Sequence, residues 1–462
     1  MKKKKNKKII LISVISALAA LAVAGALVWY FVFSDAARAR RQNSAYTPDR
    51  NPSGAEIVKK TVTSKDKQWI YAVYSDDTVT LTGYSGTAVT LSVPEEIDGY
   101  TVSAIGVDCF NGNATLEDVT VPETVVGLEG YAFYDAQALK KVTLPSGLKK
   151  IGEGAFCYCP LLEEIVIPDG ITEIPDGVFY GCRGLKKVGF PEGLKAVGGH
   201  TFEGCESLTE IALPEGLETI GDSAFKECTS LSSANLPSTL KQMGEYIFDN
   251  AALSEMEVPA GIKNIPTALF SNCKSLEKVT LHEGLEKIGS YAFYNCEKLS
   301  QVSLPSTVKE LGDYAFCCCY GLESFTFSRL ETIGNYAFSD CSALKNVEYP
   351  DSLDYIPPYC FAGCSALTEF NFPDSITQIG DYAFALGNGI TKIELPEKLE
   401  YIAPYSFAKM EKLQYVYVPD SVTQFGECWL AGSDKVVVHC SEKSTAYDYA
   451  AANKIPVETT AE

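Results

Sequence analysis

The sequence predicts an α/β-type repeat solenoid, a chain wound into 14–15 turns of 22–23 residues that stack to form a parallel β-sheet. A proline, replaced twice by another residue, recurs with this period from Pro122 to Pro419. A phenylalanine keeps the same period from Phe110 to Phe407, and Leu430 takes its position in a fifteenth turn. Self-similarity at this period is typical of a solenoid, because each repeat buries its apolar face only against neighbouring copies.

The N-terminal segment predicts a membrane anchor. Residues 1–8 form a basic tail with six lysines, and Ile9 to Phe33 is a run of 25 uncharged residues. A helix of that length crosses a hydrocarbon core of roughly 30 Å. A cleaved signal peptide is the alternative, although its apolar region would span only about 7–15 residues. The lysines favour a cytoplasmic N-terminus, so we expect a single-pass protein of the cell membrane with an extracellular repeat domain.

The formal net charge of −20 is unevenly distributed along the chain. Residues 1–56 hold ten of the 39 basic and three of the 59 acidic residues, which leaves 29 bases and 56 acids, a net charge of −27, in the remainder. Such a surface repels phosphate backbones, so we expect no nucleic-acid partner. The acidic surface keeps an exported protein soluble or attracts a basic ligand.

The segments after the anchor differ in composition. Residues 34–56 are polar, lack an apolar period and predict a linker. Residues 57–102 are rich in β-forming residues around the turn Ser75-Asp76-Asp77, and predict an N-terminal β cap over the first open edge of the solenoid. The repeats occupy residues 103–434. Residues 435–462 predict a C-terminal cap and tail, with a strand at Val436–Val438 and a helix over Ser444–Lys454.

Each repeat follows the pattern L-x-x-V-x-L-P-x-x-L-x-x-I-G-x-x-A-F-x-x-C. The alternation before the proline predicts a short strand, with Val142 facing inward and Lys141 facing outward in one copy. Gly152 is expected to permit a tight bend, and Phe156 to lie in a turn or short helical segment.

These repeats, together with the cap around Val436 to Val457, resemble the BspA-like leucine-rich repeat family of bacterial surface proteins. The resemblance covers roughly residues 90–457. It implies a right-handed leucine-rich-repeat coil with a parallel sheet along one face, and a role in attachment to host proteins, surfaces or other cells. It carries over no catalytic residue, because the family motif is structural.

The cysteines follow the repeat. Of the sixteen cysteines, nine lie three residues after the repeat phenylalanine: Cys159, Cys182, Cys205, Cys228, Cys273, Cys296, Cys319, Cys341 and Cys364. Ala251 and Gly387 also occupy this position, so it requires a small residue, and we expect a ladder of buried thiols. Disulfides in some turns and a zinc site are the alternatives, although Cys317-Cys318-Cys319 lacks the spacing of a structural zinc site. We expect no cofactor and no metal.

The sequence contains no catalytic motif that we recognise. The three histidines, His200, His282 and His439, lie outside any H-E-x-x-H pattern, and no G-x-S-x-G or phosphate-binding loop is present. We expect His200 and His282 at the surface, and we predict neither catalytic nor cofactor-binding residues and no enzymatic activity.

One candidate binding surface is the outward face of the repeat strands, which is the usual binding surface of curved solenoids. Near its C-terminal end Tyr415 and Tyr417 are of the type that anchors protein interfaces. We therefore predict a protein ligand, from a host, a matrix or a cell surface, bound for adhesion. The predicted partner-binding residues are Tyr415, Tyr417, Asn346, Glu348, Glu369, Asn371, Lys392 and Glu394.

A second candidate surface is a stripe of tyrosines two residues before the phenylalanine. Six lie in consecutive turns: Tyr291, Tyr314, Tyr336, Tyr359, Tyr382 and Tyr405. Their flat faces and hydroxyls predict, as an alternative function, a scaffold that binds carbohydrate or cell envelope. Stacking of the rings on one another is the structural explanation of the same pattern.

Overall fold

The computed structural model describes residues 50–327 and 329–459. The predicted basic tail, the anchor Ile9–Phe33 and the predicted linker up to residue 49 lie outside the described residues. Within the described residues, no helix combines the length and the apolar character that a membrane span requires.

The N-terminal cap is an antiparallel sheet that runs into the repeats. Its strands are β1 (Ile57–Thr63), β2 (Trp69–Tyr74), β3 (Thr78–Tyr84), β4 (Thr90–Ser92), β5 (Glu96–Ile97) and β6 (Tyr100–Ile105). β1, β2 and β3 pair antiparallel, and β3 then pairs parallel with β6. Residues 50–56 already contact the cap, since Asn51 Nδ2 donates hydrogen bonds to Asp76 Oδ2 (3.0 Å) and to Thr78 Oγ1 (2.7 Å).

The repeats contribute pairs of short strands. In chain order these are β7 (Asp118–Thr120), β8 (Gly127–Leu128), β9 (Lys141–Thr143), β10 (Lys150–Ile151), β11 (Glu164–Val166), β12 (Glu173–Ile174), β13 (Lys187–Gly189), β14 (Ala196–Val197), β15 (Glu210–Ala212), β16 (Thr219–Ile220), β17 (Ser233–Asn235), β18 (Gln242–Met243), β19 (Glu255–Glu257), β20 (Asn264–Ile265), β21 (Lys278–Thr280), β22 (Lys287–Ile288), β23 (Gln301–Ser303), β24 (Glu310–Leu311), β25 (Ser324–Thr326), β26 (Thr332–Ile333), β27 (Asn346–Val347), β28 (Tyr355–Ile356), β29 (Gln378–Ile379), β30 (Lys392–Glu394), β31 (Tyr401–Ile402), β32 (Tyr415–Tyr417) and β33 (Gln424–Phe425).

These strands form two parallel ladders. In the first ladder the strand before the proline pairs with its copy one turn later, as in Glu164 opposite Lys187. In the second ladder the strand before the glycine does the same, as in Thr219 opposite Gln242. The parallel solenoid predicted from the period is therefore confirmed.

The phenylalanine segments form a third set of contacts between turns. The Phe133 N–H donates to the Ala155 carbonyl (2.8 Å), and the Phe156 N–H donates to the Val178 carbonyl (2.9 Å). These segments are turns throughout, and the one helix of the described residues lies in the C-terminal cap. Of the turn or short helical segment predicted around the phenylalanine, the turn is observed, and the α/β-type prediction is wrong for the described repeats because they hold no helix. Left-handed residues two positions before and two after the phenylalanine, such as Tyr131 (φ 58°) and Asp135 (φ 57°), prevent a helix.

The core is a continuous column of phenylalanine rings. Thirteen consecutive pairs from Phe110 to Phe407 stack with ring centroids 4.7–6.0 Å apart. Trp69 of the cap packs on the first ring at 6.0 Å, and Trp429 packs on the last at 5.9 Å. The column therefore ends on a tryptophan at each cap.

Gly152 is required for a different reason from the tight bend predicted. Its φ is not left-handed, but a Cβ there would lie 2.3 Å from the Gly130 N of the preceding turn. The equivalent Gly334 is constrained in the same way by the Asp313 N at 2.3 Å. Glycine is needed where neighbouring coils approach most closely.

The C-terminal cap extends the first ladder. It consists of β34 (Val437–Cys440), helix α1 (Thr445–Asn453) and β35 (Val457–Thr459), and β32, β34 and β35 pair in parallel. The Ser444 hydroxyl caps α1 by accepting a hydrogen bond from Tyr447 N. The solenoid has about 17 turns. The prediction of 14–15 is too low because it counted phenylalanine positions, and β34 and β35 add coils that lack one.

Candidate functional site

An aromatic cluster lies on the outward face of the first ladder, near its C-terminal end. We call the set Lys392, Tyr415, Tyr417, His439 and Glu458 the C-terminal cluster. The ladder register places Lys392 beside Tyr415, Tyr417 beside His439, and His439 beside Glu458. Four successive strands thus supply one patch, because side chains at equivalent positions of neighbouring strands point the same way.

The rings of the cluster pack on one another. Tyr417 and His439 stack with centroids 4.5 Å apart and planes 21° apart, and Tyr415 meets the same imidazole edge-on at 5.4 Å. Lys392 Nζ lies 5.0 Å from the Tyr417 ring centroid, within the range of a cation–π contact. Tyr415 is 40% exposed, whereas 12% of the His439 side chain is exposed. The cluster therefore presents a supported aromatic surface.

The charges around the cluster are mixed. Lys392 forms an ion pair with Glu394, and this hydrogen bond raises the pKa of the lysine. His439 Nε2 is buried without a hydrogen-bond partner and lies 3.7 Å from Glu458 Oε2. The imidazole therefore contributes to the cluster through its ring contacts with Tyr415 and Tyr417 rather than through an accessible Nε2.

The other predicted partner-binding residues lie on the same face, further towards the N-terminus. Asn346, Glu348, Glu369 and Asn371 are all exposed. Glu348 and Asn371 form an isolated parallel bridge between neighbouring turns. The structure brings Lys392, Glu394, Tyr415 and Tyr417 into contact, and the four remaining residues extend the face as a polar strip.

Sequence reasoning missed His439 and Glu458 as members of the cluster. Both lie in the C-terminal cap, beyond the last repeat. The spacing of 22 residues from Tyr417 to His439 matches the repeat period and was the available signal.

The predicted tyrosine stripe is a continuous stack, which we call the tyrosine ladder. Its six rings from Tyr291 to Tyr405 lie 4.3–4.8 Å apart, with interplanar angles of 5–12°. All six side chains are half-buried. Burial and the neighbouring tyrosines raise the pKa of Tyr314 and of Tyr336 to about 12. The rings cover one another's faces, so ring edges and hydroxyls form the accessible surface.

The tyrosine ladder occupies left-handed backbone positions. The six tyrosines have φ between 53° and 58°, and Gly154 and Ala268 share the equivalent position in other turns. A left-handed conformation costs a non-glycine residue roughly 1 kcal/mol, so the backbone would favour glycine there. Tyrosine therefore occupies positions at which the backbone conformation favours glycine.

The cysteine ladder is a set of buried thiols that bond to the backbone. Each of the nine repeat thiols donates to the carbonyl oxygen of the phenylalanine one turn earlier, at 3.0–3.4 Å. All sixteen cysteines lie in the described residues and all are free thiols. In the described part of the chain, no cluster of three or more histidine, cysteine, aspartate or glutamate side chains is arranged to hold a metal ion.

His200 is half-buried at the surface, where its ring contacts a carboxylate. Its Nδ1 is 2.6 Å from Glu203 Oε2, and Lys226 Nζ is 3.6 Å from Glu203 Oε1. His282 pairs with Glu257 at 3.0 Å and is more exposed. Glu203 thus contacts both His200 and Lys226, and Glu257 contacts His282, as expected for contacts that stabilise the fold.

Comparisons with known proteins agree with this architecture. A family model described as BspA type leucine rich repeat region matches the chain in six copies, over residues 97–209, 195–323 and 309–437. A search of curated protein sequences returns no match.

Solved structures of bacterial repeat proteins are also similar. One is a leucine-rich repeat protein from Bacteroides ovatus, with 24% identity and a TM-score of 0.55 over 85% of this chain and 98% of that chain. Another is a leucine rich cell surface protein from Faecalibacterium prausnitzii, with 24% identity and a TM-score of 0.46 over 88% and 96% of the two chains. The pneumococcal vaccine antigen PcpA aligns with 16% identity and a TM-score of 0.34 over 88% and 99%. At these identities the likeness concerns the fold alone.

Proposed function

Because the chain belongs to the BspA type leucine-rich repeat family, we propose that it is a bacterial surface protein whose solenoid binds another protein in adhesion. The partner is a host, matrix or cell-surface protein. The observation that carries the proposal is the C-terminal cluster on the outward face of the first ladder.

The cluster has the composition of an interaction anchor. Interface hot spots are enriched in tyrosine and surrounded by contacts that exclude water. Tyr415 is exposed, and it is held in place by His439 from below and by the neighbouring strands at the sides. Preformed rings lose little conformational entropy on binding, which favours affinity.

The rest of the outward face supports specificity more than affinity. Asn346, Glu348, Glu369 and Asn371 present short polar and acidic groups in register with the cluster. Charged residues of this kind steer association and select partners, while contributing little free energy individually. We therefore assign the anchor to the cluster and the selection of a partner to the polar strip.

The proposed location follows from the N-terminal sequence. Residues Ile9 to Phe33 would span the membrane, with the lysines before them in the cytoplasm and the solenoid outside the cell. Protease treatment of intact cells tests this arrangement. Loss of the solenoid from intact cells supports it, and protection until the cells are lysed contradicts it.

Substitution in the cluster tests the binding surface. The purified protein is first screened against an array of matrix proteins, host-surface proteins and glycans. Tyr415→Ala, combined with Tyr417→Ala, should weaken binding to the captured protein about 30-fold or more, which corresponds to about 2 kcal/mol for a hot spot. Gln301→Ala with Ser303→Ala, on the same face and four turns before Lys392 of the cluster, is the matched control. Equal affinity of both double variants would contradict the proposal.

The tyrosine ladder supports a rival function, the binding of carbohydrate or cell envelope. The observation that favours this function is the row of six half-exposed tyrosines. They stand at left-handed backbone positions where glycine would be less strained. Replacing Tyr291, Tyr314, Tyr336 and Tyr359 by Ala should abolish glycan retention under this rival and leave protein binding intact under our proposal. Loss of protein binding in this variant with unchanged binding in the Tyr415 and Tyr417 variant would reject the proposal.

A further inference from the structure

Two adjacent cysteines differ from the rest of the thiols in their surroundings. Cys317 and Cys318 follow Phe316 directly, and their Sγ atoms lie 3.5 Å apart. Cys317 is buried, with 5% exposure, whereas Cys318 is half-buried. Cys318 has a left-handed backbone, with φ 63°. One thiol is therefore accessible and the other lies directly behind it.

The accessible sulfur is surrounded by hydrogen-bond donors. The Cys317 and Cys318 sulfurs share a hydrogen bond, and this contact, together with the nearby hydroxyls of Tyr320 and Tyr294, lowers the pKa of the Cys318 thiol. Burial and the Asp340 carboxylate act in the opposite direction. Hydrogen bonding to Cys318 and burial raise the pKa of Cys317 far above its usual range. Of the two thiols, Cys318 therefore loses its proton more readily.

The remaining thiols provide the contrast. The nine ladder thiols are fully buried and bonded to backbone carbonyls, and burial raises the pKa of thiols such as Cys273 and Cys296. Cys157 occupies the position equivalent to Cys317, 2% exposed, but Tyr158 follows it where Cys318 stands. Cys428 is exposed, and no second cysteine adjoins it in sequence. Accessibility, donors and a second sulfur within 3.5 Å combine only at Cys317 and Cys318 among the described residues.

We propose that Cys318 is a nucleophilic thiol site that exchanges with low-molecular-mass or protein disulfides, and that Cys317 is its resolving thiol. The observations behind this are the 3.5 Å separation of the two sulfurs and the tyrosine hydroxyls around the outer one. The site is independent of the C-terminal cluster and of the proposed partner.

The exchange proceeds in two balanced steps. The Cys318 thiolate attacks one sulfur of a disulfide R–S–S–R, forms a mixed disulfide Cys318–S–S–R, and releases R–S⁻, which takes up a proton. Cys317 then attacks the Cys318 sulfur, and its proton passes to the second R–S⁻ as that group leaves. The products are a Cys317–Cys318 disulfide and two R–SH, so the incoming disulfide is the oxidant and is itself reduced.

The product disulfide would be readily reversed. Neighbouring Cα atoms lie 3.8 Å apart across a trans peptide, below the range of about 4.4–6.8 Å that unstrained disulfides prefer. Strained and accessible disulfides are the labile class, so the pair can cycle with external thiols. The ladder thiols are excluded from the exchange because they are fully buried and bonded to backbone carbonyls, so an external disulfide cannot reach them.

Site-resolved alkylation tests the nucleophile. The full-length protein is treated with iodoacetamide near neutral pH, and each cysteine peptide is quantified by mass spectrometry over time. We expect Cys318 to react about tenfold faster than Cys428, since Cys317 and the two tyrosine hydroxyls stabilise the Cys318 thiolate although this residue is less exposed. Tyr320→Phe, at an exposed side chain that folding does not need, should slow Cys318 and leave Cys428 unchanged. A Cys318 rate equal to or below that of Cys428, or one unaffected by Tyr320→Phe, would overturn the proposal.

Oxidised glutathione tests the resolving thiol. In the peptide that contains Cys317 and Cys318, the wild-type protein should lose two hydrogens and retain no glutathione, whereas Cys317→Ser should retain one glutathione on Cys318. Serine is tolerated at this position, because Ser339 holds it one turn later, and protection of Cys296 and Cys341 from alkylation verifies the fold. Cys157→Ser is the matched control and should behave as wild type. Stable glutathione on Cys318 of the wild type, or none on Cys317→Ser, would contradict the assigned roles.

Discussion

Cysteine in the repeats acts as a hydrogen-bond donor. In each of nine turns the thiol reaches back to the carbonyl of the previous phenylalanine. In most of these turns the carbonyl also accepts the N–H three residues later, as that of Phe270 does from Cys273 at 3.1 Å. In the fifteenth turn, three residues after Leu430, Ser433 Oγ makes the same bond to the Phe407 carbonyl at 2.9 Å. The position thus accepts a small side chain, and a thiol there fills the apolar space and adds a hydrogen bond.

This role predicts the order of two substitutions at Cys296. Its thiol donates to the Phe270 carbonyl at 3.2 Å in a fully buried position. Cys296→Ala should lower the free energy of unfolding by about 0.5–1.5 kcal/mol, because it removes one of two hydrogen bonds to the Phe270 carbonyl, which keeps the bond from the Cys273 N–H at 3.1 Å. Cys296→Ser should lower it less, since the hydroxyl restores the donor. Urea unfolding followed by circular dichroism measures the order, and a serine variant less stable than the alanine variant would contradict this account.

At the scale of the element, the stacking of rings in the tyrosine ladder offsets the free-energy cost of a left-handed backbone. Each interior ring has two stacked neighbours, as Tyr336 has at 4.4 Å and 4.3 Å, and Tyr405 at the end has one, at 4.8 Å. A stacked aromatic pair contributes about 0.5–1.5 kcal/mol beyond its buried area. That gain is similar to the roughly 1 kcal/mol cost of the left-handed backbone.

The balance predicts different costs at the middle and the end of the ladder. Tyr336→Ala should destabilise the protein more than Tyr405→Ala, by about 0.5–1.5 kcal/mol, since it removes two stacks instead of one. Tyr336→Gly should recover roughly 1 kcal/mol relative to Tyr336→Ala, because glycine adopts φ 58° without strain. Chemical denaturation checks both differences. A glycine variant less stable than the alanine variant would contradict the free-energy cost that we assign to the left-handed backbone at this position.

At the scale of the whole molecule, stability depends on contact between successive turns. The phenylalanine column runs from Trp69 of one cap to Trp429 near the other, and within the column each ring stacks on the rings of the turns before and after it. Solenoids of this kind behave as a row of units coupled to nearest neighbours, so a break in the column divides the molecule. The caps protect the two ends, where a strand edge would otherwise be open.

Removal of one central ring should therefore divide the unfolding transition. Phe270 is fully buried between Phe248 at 6.0 Å and Phe293 at 5.4 Å. Phe270→Ala should cost about 3–5 kcal/mol locally and separate unfolding into two steps. Phe270→Leu is the control and should keep one transition, because Leu430 occupies the equivalent position in another turn. A single cooperative transition in the alanine variant would contradict nearest-neighbour coupling through this column.

The sequence alone determined the coil, the strand positions, the phenylalanine column and the buried thiols. These depend on a period of 22–23 residues, and stacking copies of one unit in register leaves little freedom for the apolar positions. The count of turns failed only where the cap strands lack the repeat phenylalanine.

Only the tertiary structure revealed the left-handed backbone of the tyrosine ladder and the close approach of coils that requires Gly152. The contacts that complete the C-terminal cluster and the site at Cys317 and Cys318 also came from the tertiary structure alone. His439 reaches Tyr417, and Tyr294 reaches Cys318, from adjacent turns. Whether such side chains touch depends on their rotamers and on the offset between coils, neither of which the repeat pattern specifies. The period therefore determines which residues become neighbours, and the packing of individual side chains decides which neighbours make contact.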